Sequence, residues 1–465
     1  MYVCGITAYD VCHVGHARAA VVFDVVFRHL KARGYDVTYV KNFTDIDDKI
    51  INRANAEGVG IDQIAERYIG LHDEDMAALN VLVPTVTPRA TGHMADMIAL
   101  IQTLEEKGIA YPVDGDVFFA VNNFPAYGGL SGRHLDEMMA GARVDVNDKK
   151  RNPLDFVLWK KSKEGEPFWE SPWGKGRPGW HIECSAMSRR YLGETFDIHG
   201  GGEDLVFPHH ENEIAQSQAA TGKPLANYWM HNGFVKINAE KMSKSLGNIF
   251  PIREIVKQYH PEALRLFMLQ SHYRSPVDYS DAALKEARTA LIRCYTALQL
   301  MKETRTKSAL SAGERLGSVE AEYVNKLNAL NDKFDSALDD DFNTAQALGY
   351  VFDTARLVNN VTTAEKKMPL SAKQVILEAA ARVFLHFGDV LGVFQSDPDI
   401  FFRTDRDIEV GKRGLDVSRI EALILERQKA RDGKDWSRAD HIRQELASQN
   451  ITLKDSAGGT TWSIE

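Results

Sequence analysis

Two histidines near the start of the chain, His13 and His16, have the type and spacing to bind phosphate. They enclose Gly15 in a His-Val-Gly-His run, so on a helical turn both imidazoles could donate hydrogen bonds to one anionic group. Gly15 has no side chain, which lets a nucleotide lie close to the backbone. The run alone leaves two alternatives open, because the pair could bind a metal ion or be ordinary surface residues.

A second candidate for phosphate binding is the Lys-Met-Ser-Lys-Ser run at 241–245. Lys241 and Lys244 are three residues apart in a segment rich in serine and glycine. Two ammonium groups on one loop could neutralise charge that develops on a triphosphate. An ordinary solvated turn is the alternative. The sequence has neither the glycine-rich dinucleotide fingerprint nor the Gly-x-x-x-x-Gly-Lys-Ser/Thr phosphate loop.

Four further side chains could bind a metal ion, namely Cys4, Cys184, His209 and Glu213. His209 and Glu213 are four residues apart at the predicted start of a helix, so they project from one face. Two thiolates, one imidazole and one carboxylate suit zinc. The spacing is not that of a zinc finger, and by itself it favours two buried free cysteines and a histidine at a helix start.

The elements that must position these groups begin with a strand, a helix and a second strand. An apolar run at 2–4 predicts the first strand, apolar residues at helical spacing over 17–30 predict the helix, and Gly34 ends it. Residues 35–43 predict the second strand. The histidine pair lies at the strand-to-helix junction, where unpaired N–H groups and the helix dipole favour phosphate. We therefore predict an α/β Rossmann-like catalytic domain with a parallel sheet.

The rest of the chain predicts further domains. A segment at 149–179, rich in tryptophan, proline and glycine, indicates a long excursion away from the sheet. Helical periodicity predicts an α-helical bundle with helices at 282–302, 320–338, 344–361 and 371–391. A break at 395–414 precedes a small mixed α/β C-terminal module with helices at 420–432 and 437–449 and a hairpin at 451–462. The predicted domains are 1–279 with an inserted segment at about 80–178, then 280–395, then 405–465.

Composition limits the class of protein. The chain has 465 residues, 44% hydrophobic and 26% charged, as expected for a globular protein of two to four domains. No apolar run approaches membrane-spanning length and the opening is unlike a signal peptide, which predicts a cytoplasmic location without membrane association. The net charge of −9 argues against broad electrostatic binding of nucleic acid, although it permits a local basic face.

Together, these motifs resemble those of the class I aminoacyl-tRNA synthetases and, within that class, the cysteinyl-tRNA synthetases. The class signatures are His-Ile-Gly-His and Lys-Met-Ser-Lys-Ser; Val14 replaces isoleucine here and the second signature is intact. The narrower resemblance rests on MYVCG at the start and on four internal runs: TDIDDK at 44–49, GWHIECSAM at 179–187, HGGG at 199–202 and FPHHENE at 207–213. It covers nearly the whole chain.

The resemblance implies an enzyme that activates L-cysteine with ATP and transfers it to the 3′ end of tRNA(Cys). It implies one active-site Zn²⁺ held by Cys4, Cys184, His209 and Glu213, and Mg²⁺ with ATP. Charge on the phosphates would be stabilised by His13, His16, Lys241 and Lys244. The residues it places around cysteine and the nucleotide are Gly15, Thr44, Trp180, His199, Gly200, Gly201, Gly202 and Met242.

The resemblance also implies contacts with RNA. It assigns the helical bundle to the tRNA stem, whereas a purely structural bundle is the alternative. In the C-terminal module Arg431, Trp436 and Asp440 could bind unpaired anticodon bases through a guanidinium, a stacking ring and a hydrogen-bonding carboxylate. A solvated helical face would have a similar sequence. We expect a monomer.

The sequence departs from the family pattern in two respects, and it leaves two alternative functions open. Family members usually carry a further short strand and turn before MYVCG, so either the start is truncated or Met1 is a misassigned initiator. Loss of an edge strand beside Cys4 could leave the zinc site poorly held. Ile6 and Ala8 replace residues common in the family. One rival is a ligase that joins cysteine to an amino-sugar and lacks an anticodon module, against which 405–465 argues. The other is a non-catalytic tRNA-binding paralogue, which would be expected to lose the signature histidines or lysines.

Overall fold

The computed structural model describes residues 1–133, 148–237, 240–241, 249–306, 317–364, 368–456 and 459–464. For residues 240, 241, 305, 306, 364 and 456 it describes the backbone alone. The chain divides into two compact units, the first Met1–Ile249 with Ser271–Asp278 and the second Phe250–Gln270 with Tyr279–Glu465.

Secondary structure is numbered along the described chain. The strands are β1 Tyr2–Thr7, β2 Val40–Thr44, β3 Ala110–Val113, β4 Asp116–Phe119, β5 Phe156–Lys161, β6 Gly176–Pro178, β7 Phe196–Gly202, β8 Ala226–Asn232, β9 Val235–Ile237, β10 Glu240–Lys241, β11 Val277–Tyr279, β12 Ile451–Ser456 and β13 Gly459–Ile464. The helices are α1 Val14–Ala32, α2 Asp48–Glu57, α3 Ile61–Ala78, α4 Met94–Glu106, α5 Trp180–Leu192, α6 Glu211–Thr221, α7 Ile252–Ile255, α8 Pro261–Leu269, α9 Asp281–Thr306, α10 Ser318–Asp339, α11 Thr344–Asn359, α12 Leu370–Leu391, α13 Pro398–Arg413, α14 Val417–Asp432 and α15 Trp436–Ala447.

The first unit is built on a four-stranded parallel sheet in the order β2-β1-β7-β8. The chain passes from β1 to β2 on one side, and β7 lies on the other side of β1, so the direction of the connections reverses between β1 and β7. In open parallel sheets ligands bind at the carboxyl ends of the strands beside such a reversal. The parallel sheet and its helices confirm the predicted α/β Rossmann-like fold.

Helix α1 follows β1 and packs against β7 and β8. Its first turn is closed by the histidine pair, since His13 Nδ1 accepts a hydrogen bond from Gly15 N at 3.2 Å and His16 Nδ1 accepts one from His13 N at 3.2 Å. Gly34, at φ +87°, follows the last turn in the left-handed conformation that glycine adopts without strain. The predicted helix and its glycine end are confirmed.

A second, antiparallel sheet in the order β3-β4-β5-β6 is inserted between β2 and β7 in the chain. The segment 149–179, which the sequence indicates as an excursion, supplies β5 and β6 of this sheet. Buried Asp155 fixes its entry, because its carboxylate accepts hydrogen bonds from Tyr111 Oη at 2.7 Å and from Val121 N at 2.9 Å. The excursion is therefore an ordered part of the first unit.

The second unit is mostly helical in its described part. Helices α9, α10, α11 and α12 pack as a bundle, and α8 packs on α9, which confirms the predicted bundle helices. Helices α14 and α15 and the hairpin of β12 and β13 share a separate apolar core. No described helix combines the length and apolar character that crossing a bilayer requires.

The predicted break at 395–414 is wrong, because α13 occupies most of it. Asp397 caps the helix by accepting a hydrogen bond from Asp399 N, and Pro398 occupies the first turn. This Asp-Pro pair is a helix-start signal that the aspartate-rich composition obscures. Helix α13 packs on α9 through buried residues such as Phe401, whose ring stacks on Tyr295 at 3.6 Å between centroids.

Candidate active site

A cavity of about 610 Å³ opens in the first unit at the carboxyl end of β1. Its lining includes Cys4 from β1, His13 and His16 from the start of α1, Trp180 from the start of α5, and Gly202 from the end of β7. These residues come from both sides of the reversal between β1 and β7. The cavity therefore occupies the position that the sheet topology indicates for a ligand.

The two imidazoles of the first signature lie together in this cavity. The rings of His13 and His16 stack, with centroids 3.8 Å apart and planes 22° apart. Gly15, between them, also lines the cavity. Because α1 begins here, its unpaired N–H groups and its dipole face the same space, which suits an anionic ligand.

The candidate metal ligands converge at one side of the cavity. Cys4 Sγ lies 3.8 Å from Cys184 Sγ and 3.4 Å from Glu213 Oε1. His209 Nε2 lies 3.0 Å from the same carboxylate oxygen. The four ligand atoms all lie within 4.8 Å of one another. Residues that are far apart in the sequence thus meet in one cluster.

The geometry of this cluster fits zinc. Two sulfurs bound tetrahedrally at about 2.3 Å would lie about 3.8 Å apart, which is the observed separation of the two Sγ atoms. His209 Nε2 is buried and faces the Glu213 carboxylate and the Cys184 sulfur, so this nitrogen points into the cluster. Two sulfurs, one imidazole nitrogen and one carboxylate oxygen are ordinary zinc ligands.

A second group of possible ligands shares two members with the first, namely Cys4 and Glu213 with His199 and His210. His199 Nε2 donates to Glu213 Oε2 at 2.8 Å, and His210 Nδ1 lies 2.8 Å from His231 Nε2. The first group has two thiols where the second has one, so it is the better zinc set. His199 then holds the carboxylate in place, as outer-sphere partners of metal ligands do.

Electrostatics favour the anionic form at two of the four ligands, Cys184 and Glu213, whereas burial raises the pKa of Cys4 well above its usual range. A hydrogen bond from Cys4 lowers the pKa of Cys184 to about 6, although burial opposes the shift. Burial also acts against ionisation of Glu213, but the adjacent His199 and His209 outweigh it and hold the pKa of Glu213 well below its usual range. Both groups are thus prepared to be anionic in a dry environment, where negative charge needs a positive partner.

Several predicted residues lie around the cluster. The exposed ring of Trp180 stacks on His209 at 4.2 Å between centroids. Thr44 is buried and donates to Glu183 Oε2 at 2.6 Å, next to Cys184 in the chain. A side chain at Gly200 would overlap the ring of Phe23, so this glycine lets α1 pack on β7.

Other predicted residues lie deeper or outside the description. An added Cβ at Gly201 would contact Leu205 and His210 at 2.9 to 3.1 Å. Of the glycine run, Gly202 lines the cavity. Met242 and Lys244 fall outside the described residues, and for Lys241 the backbone alone is described, paired with Lys236 between β10 and β9.

The three residues assigned to RNA contacts lie on α14 and α15 of the second unit. The ring of Trp436 is 59% exposed and Asp440 is exposed. Arg431 Nη1 lies 2.6 Å from Asp455 Oδ2, and the same carboxylate receives a bidentate contact from Arg427 at 2.9 Å. The guanidinium of Arg431 is thus held by an acidic partner, whereas the indole of Trp436 faces solvent.

Sequence reasoning missed several residues that support the site. Arg18 is buried and its Nη2 donates to the carbonyls of His272, Tyr273 and Ser275 at 2.9 to 3.2 Å. It thereby ties α1 to residues 271–278, and a lone arginine on the apolar face of a helix could have indicated such a role. Nothing in the local pattern indicates the contact between His210 and His231.

Comparison with known proteins gives a consistent result. The family model for the class I (C) tRNA synthetase catalytic domain matches residues 1–289, the DALR domain matches 333–395, and the cysteinyl-tRNA ligase anticodon binding domain matches 417–462. The chain is 56% identical to the cysteine–tRNA ligase of Geobacter sulfurreducens over 465 residues, covering 100% of this chain and 95% of that protein. It is 54% identical to that of Geotalea uraniireducens, with the same coverage.

Among solved structures, the chain is similar to methionyl-tRNA synthetase of Mycobacterium tuberculosis in complex with methionyl-adenylate. The TM-score is 0.60 at 16% identity, over 84% of this chain and 91% of that one. The leucyl-tRNA synthetase of Agrobacterium radiobacter, in a ternary complex with tRNA, gives a TM-score of 0.59 at 12% identity, over 86% of each chain. At such identities the likeness concerns the fold alone.

Proposed function

The chain belongs to the cysteine–tRNA ligase family, and from that premise we propose which of its side chains carry the reaction. The enzyme activates cysteine with ATP and transfers it to tRNA. In the first step a cysteine carboxylate oxygen attacks the α-phosphorus of ATP, the bond to the bridging oxygen breaks, and pyrophosphate leaves. In the second step a terminal ribose hydroxyl of the tRNA attacks the activated carbonyl and AMP leaves.

The metal centre is the first part of the proposal. Cys4, Cys184, His209 and Glu213 would hold one zinc ion, and the observation that carries this assignment is their convergence within 4.8 Å beside the cavity. When bound there, zinc supplies a Lewis acid that accepts the soft thiolate of cysteine and rejects the hydroxyl of serine. His199 orients Glu213, and the ring of Trp180 covers His209.

The nucleotide is the second part of the proposal. His13 and His16 would bind its phosphates together with the N–H groups at the start of α1, because both rings and this helix end face the cavity. Lys241 and Lys244 would add positive charge as the α-phosphate is displaced, and Mg²⁺ would accompany the triphosphate. Gly15 and Gly202 line the space left for the nucleotide, and Met242 would lie next to it.

The tRNA is the third part of the proposal. Trp436 would stack on an unpaired anticodon base, with Arg431 and Asp440 beside it at the adjoining ends of α14 and α15. The 59% exposure of the Trp436 ring supports this role, since a large exposed aromatic side chain gains most when a partner covers it. We further propose that the enzyme acts as a monomer in the cytoplasm.

The alternative of a cysteine–amino-sugar ligase is not favoured, because a model of an anticodon binding domain matches residues 417–462. A non-catalytic paralogue is not favoured either, since both signature histidines line the cavity. Aminoacylation of total tRNA with radiolabelled cysteine separates the three functions. Cysteine that appears in acid-precipitable tRNA is expected here, and cysteine joined to an amino-sugar instead would overturn the assignment.

Metal analysis tests the zinc centre. We expect about one zinc per chain and ATP–pyrophosphate exchange that depends on cysteine far more than on serine. The variant C184S should lose most of the zinc and bind cysteine more weakly. The matched control is C294S, which changes another buried thiol in the second unit and should keep its zinc. A metal-free protein with full exchange activity would refute the proposed centre.

Binding of tRNA tests the C-terminal contacts. A stacked base contributes about 1–3 kcal/mol, so W436A should weaken the binding of cognate tRNA by about 5- to 160-fold while leaving ATP–pyrophosphate exchange unchanged. The control L425A removes a side chain of similar exposure on α14, 58% against 59%, and should bind tRNA normally. Equal tRNA affinities for both variants would count against Trp436 as a contact.

A further inference from the structure

Tyr2 is a buried residue beside the metal ligands for which the reaction described above gives no role. It precedes Cys4 by two residues on β1. Its side chain is 0% exposed, and its hydroxyl makes no hydrogen bond to a described residue. A buried hydroxyl without a hydrogen-bond partner destabilises the fold. This hydroxyl therefore requires an acceptor that becomes available to it when the metal binds.

The ring of Tyr2 is held firmly. Its centroid lies 5.4 Å from that of His199 in an edge-on arrangement and 6.3 Å from that of Phe196. Tyr2 pairs with His199 between β1 and β7 and packs in the same apolar core as Cys184. The ionisable groups near its side chain are the thiols of Cys184 and Cys4 and the carboxylate of Glu213. A tyrosine hydroxyl carries its proton near neutral pH and is therefore available as a donor.

The Cys184 sulfur needs such a donor once it is a thiolate. It lies 3.8 Å from Cys4 Sγ and 3.8 Å from Asn42 Oδ1, and its other partner, His209, would be engaged by the metal. The Asn42 oxygen is an acceptor, because it already receives a hydrogen bond from Gly5 N at 2.9 Å. Cys4 would itself be a ligand, and a ligand thiol gives up its proton when a metal binds.

We propose that the Tyr2 hydroxyl donates a hydrogen bond to the Cys184 thiolate in the metal-loaded enzyme and so acts as a positioning residue of the metal centre. This inference rests on the proposed zinc site. The hydrogen bond holds the sulfur in its ligand position, which strengthens metal retention, and it withdraws electron density from the sulfur. A more electron-poor sulfur leaves the metal a stronger Lewis acid toward the incoming cysteine.

The variant Y2F tests the proposal, because it removes the hydroxyl and keeps the ring. We expect its zinc affinity, measured by competition with a chromophoric chelator, to fall by about tenfold or more. In the Co²⁺-substituted protein the sulfur-to-cobalt charge-transfer band should move to longer wavelength, since a sulfur without the hydrogen bond is easier to oxidise. The control Y39F, at another buried tyrosine of the first unit, should change neither quantity.

The outcomes separate this inference from the proposed function. Wild-type protein that binds zinc together with Y2F of unchanged affinity and unchanged cobalt spectrum would refute the role of Tyr2 and leave the zinc site standing. Wild-type protein that binds no zinc would refute both. If Y2F does not fold, wild-type chain grown with 3-fluorotyrosine, a stronger donor, should move the cobalt band to shorter wavelength, and an unmoved band would overturn the inference.

Discussion

Glu211 fastens the inserted segment to the helix that follows the metal ligand His209, and its replacement by glutamine should loosen that connection. The carboxylate is 0% exposed. Its two oxygens accept hydrogen bonds from Gly128 N and Ser131 N, each at 2.9 Å. Glutamine keeps one acceptor oxygen and turns an NH₂ group toward the other backbone N–H, so one buried donor loses its partner.

The size of the effect follows from these two contacts. Losing one hydrogen bond to a charged group and leaving one buried N–H unpaired costs about 2–4 kcal/mol. That free energy corresponds to roughly a 30- to 900-fold increase in the population of the opened loop. In E211Q, amide hydrogen exchange at Gly128 and Ser131 should accelerate by this factor, up to the limit set by global unfolding.

The control is E203Q, which neutralises an exposed carboxylate between β7 and α6 and should leave exchange at both amides unchanged. Hydrogen exchange followed by mass spectrometry or NMR at neutral pH measures the two sites directly. If E211Q left the protection of Gly128 and Ser131 at the wild-type level, the two contacts would contribute nothing to holding the loop and the reasoning would be refuted.

Three further predictions concern packing, titration and an ion pair. G200A should lower the free energy of unfolding by about 1–3 kcal/mol in urea, because its methyl group would overlap Phe23. Burial lowers the pKa of His260 to about 4, although the nearby Asp405 opposes the shift. Below pH 6.5 the unfolded chain therefore binds a proton that the folded chain does not, so the free energy of unfolding should fall by about 2 kcal/mol from pH 7 to pH 5. The decrease should be smaller in H260N, because asparagine can still cap the helix but does not titrate. R427M should raise the pKa of Asp455, which hydrogen bonds from Arg427 and Thr460 now hold well below its usual range, and an NMR titration would detect the change.

Much of the first unit was predictable because its signals are local. The glycine after α1 and the apolar stripe of that helix each depend on neighbours within a few residues, and the structure agrees with them. The predicted bounds of the second strand were wrong, because pairing with a distant strand sets them. Residues 35–39 belong to the predicted second strand, but β2 begins at Val40, because its partner Tyr2 determines where pairing starts.

The candidate metal site shows the limit of spacing arguments. Spacing alone favours ordinary buried cysteines at Cys4 and Cys184, and only the family resemblance names them as ligands. The fold brings both sulfurs to 3.8 Å, a fact that no local pattern contains. Supporting contacts such as those of Tyr2 and Arg18 were missed for the same reason, since their partners lie on other strands or on a segment more than 250 residues away.

The ligands of the proposed metal centre come from the two ends of the first unit's sequence, and this has a consequence for biosynthesis. Cys4 and Cys184 are 180 residues apart, and Cys4 and Glu213 are 209 apart, with the whole inserted sheet between them. A ribosome must release everything up to α6 before the four side chains can meet, and closing so long a loop is slow. Zinc would therefore bind after the rest of this unit has folded and would not nucleate its folding. If zinc is scarce during translation, we expect the enzyme to fold without its metal.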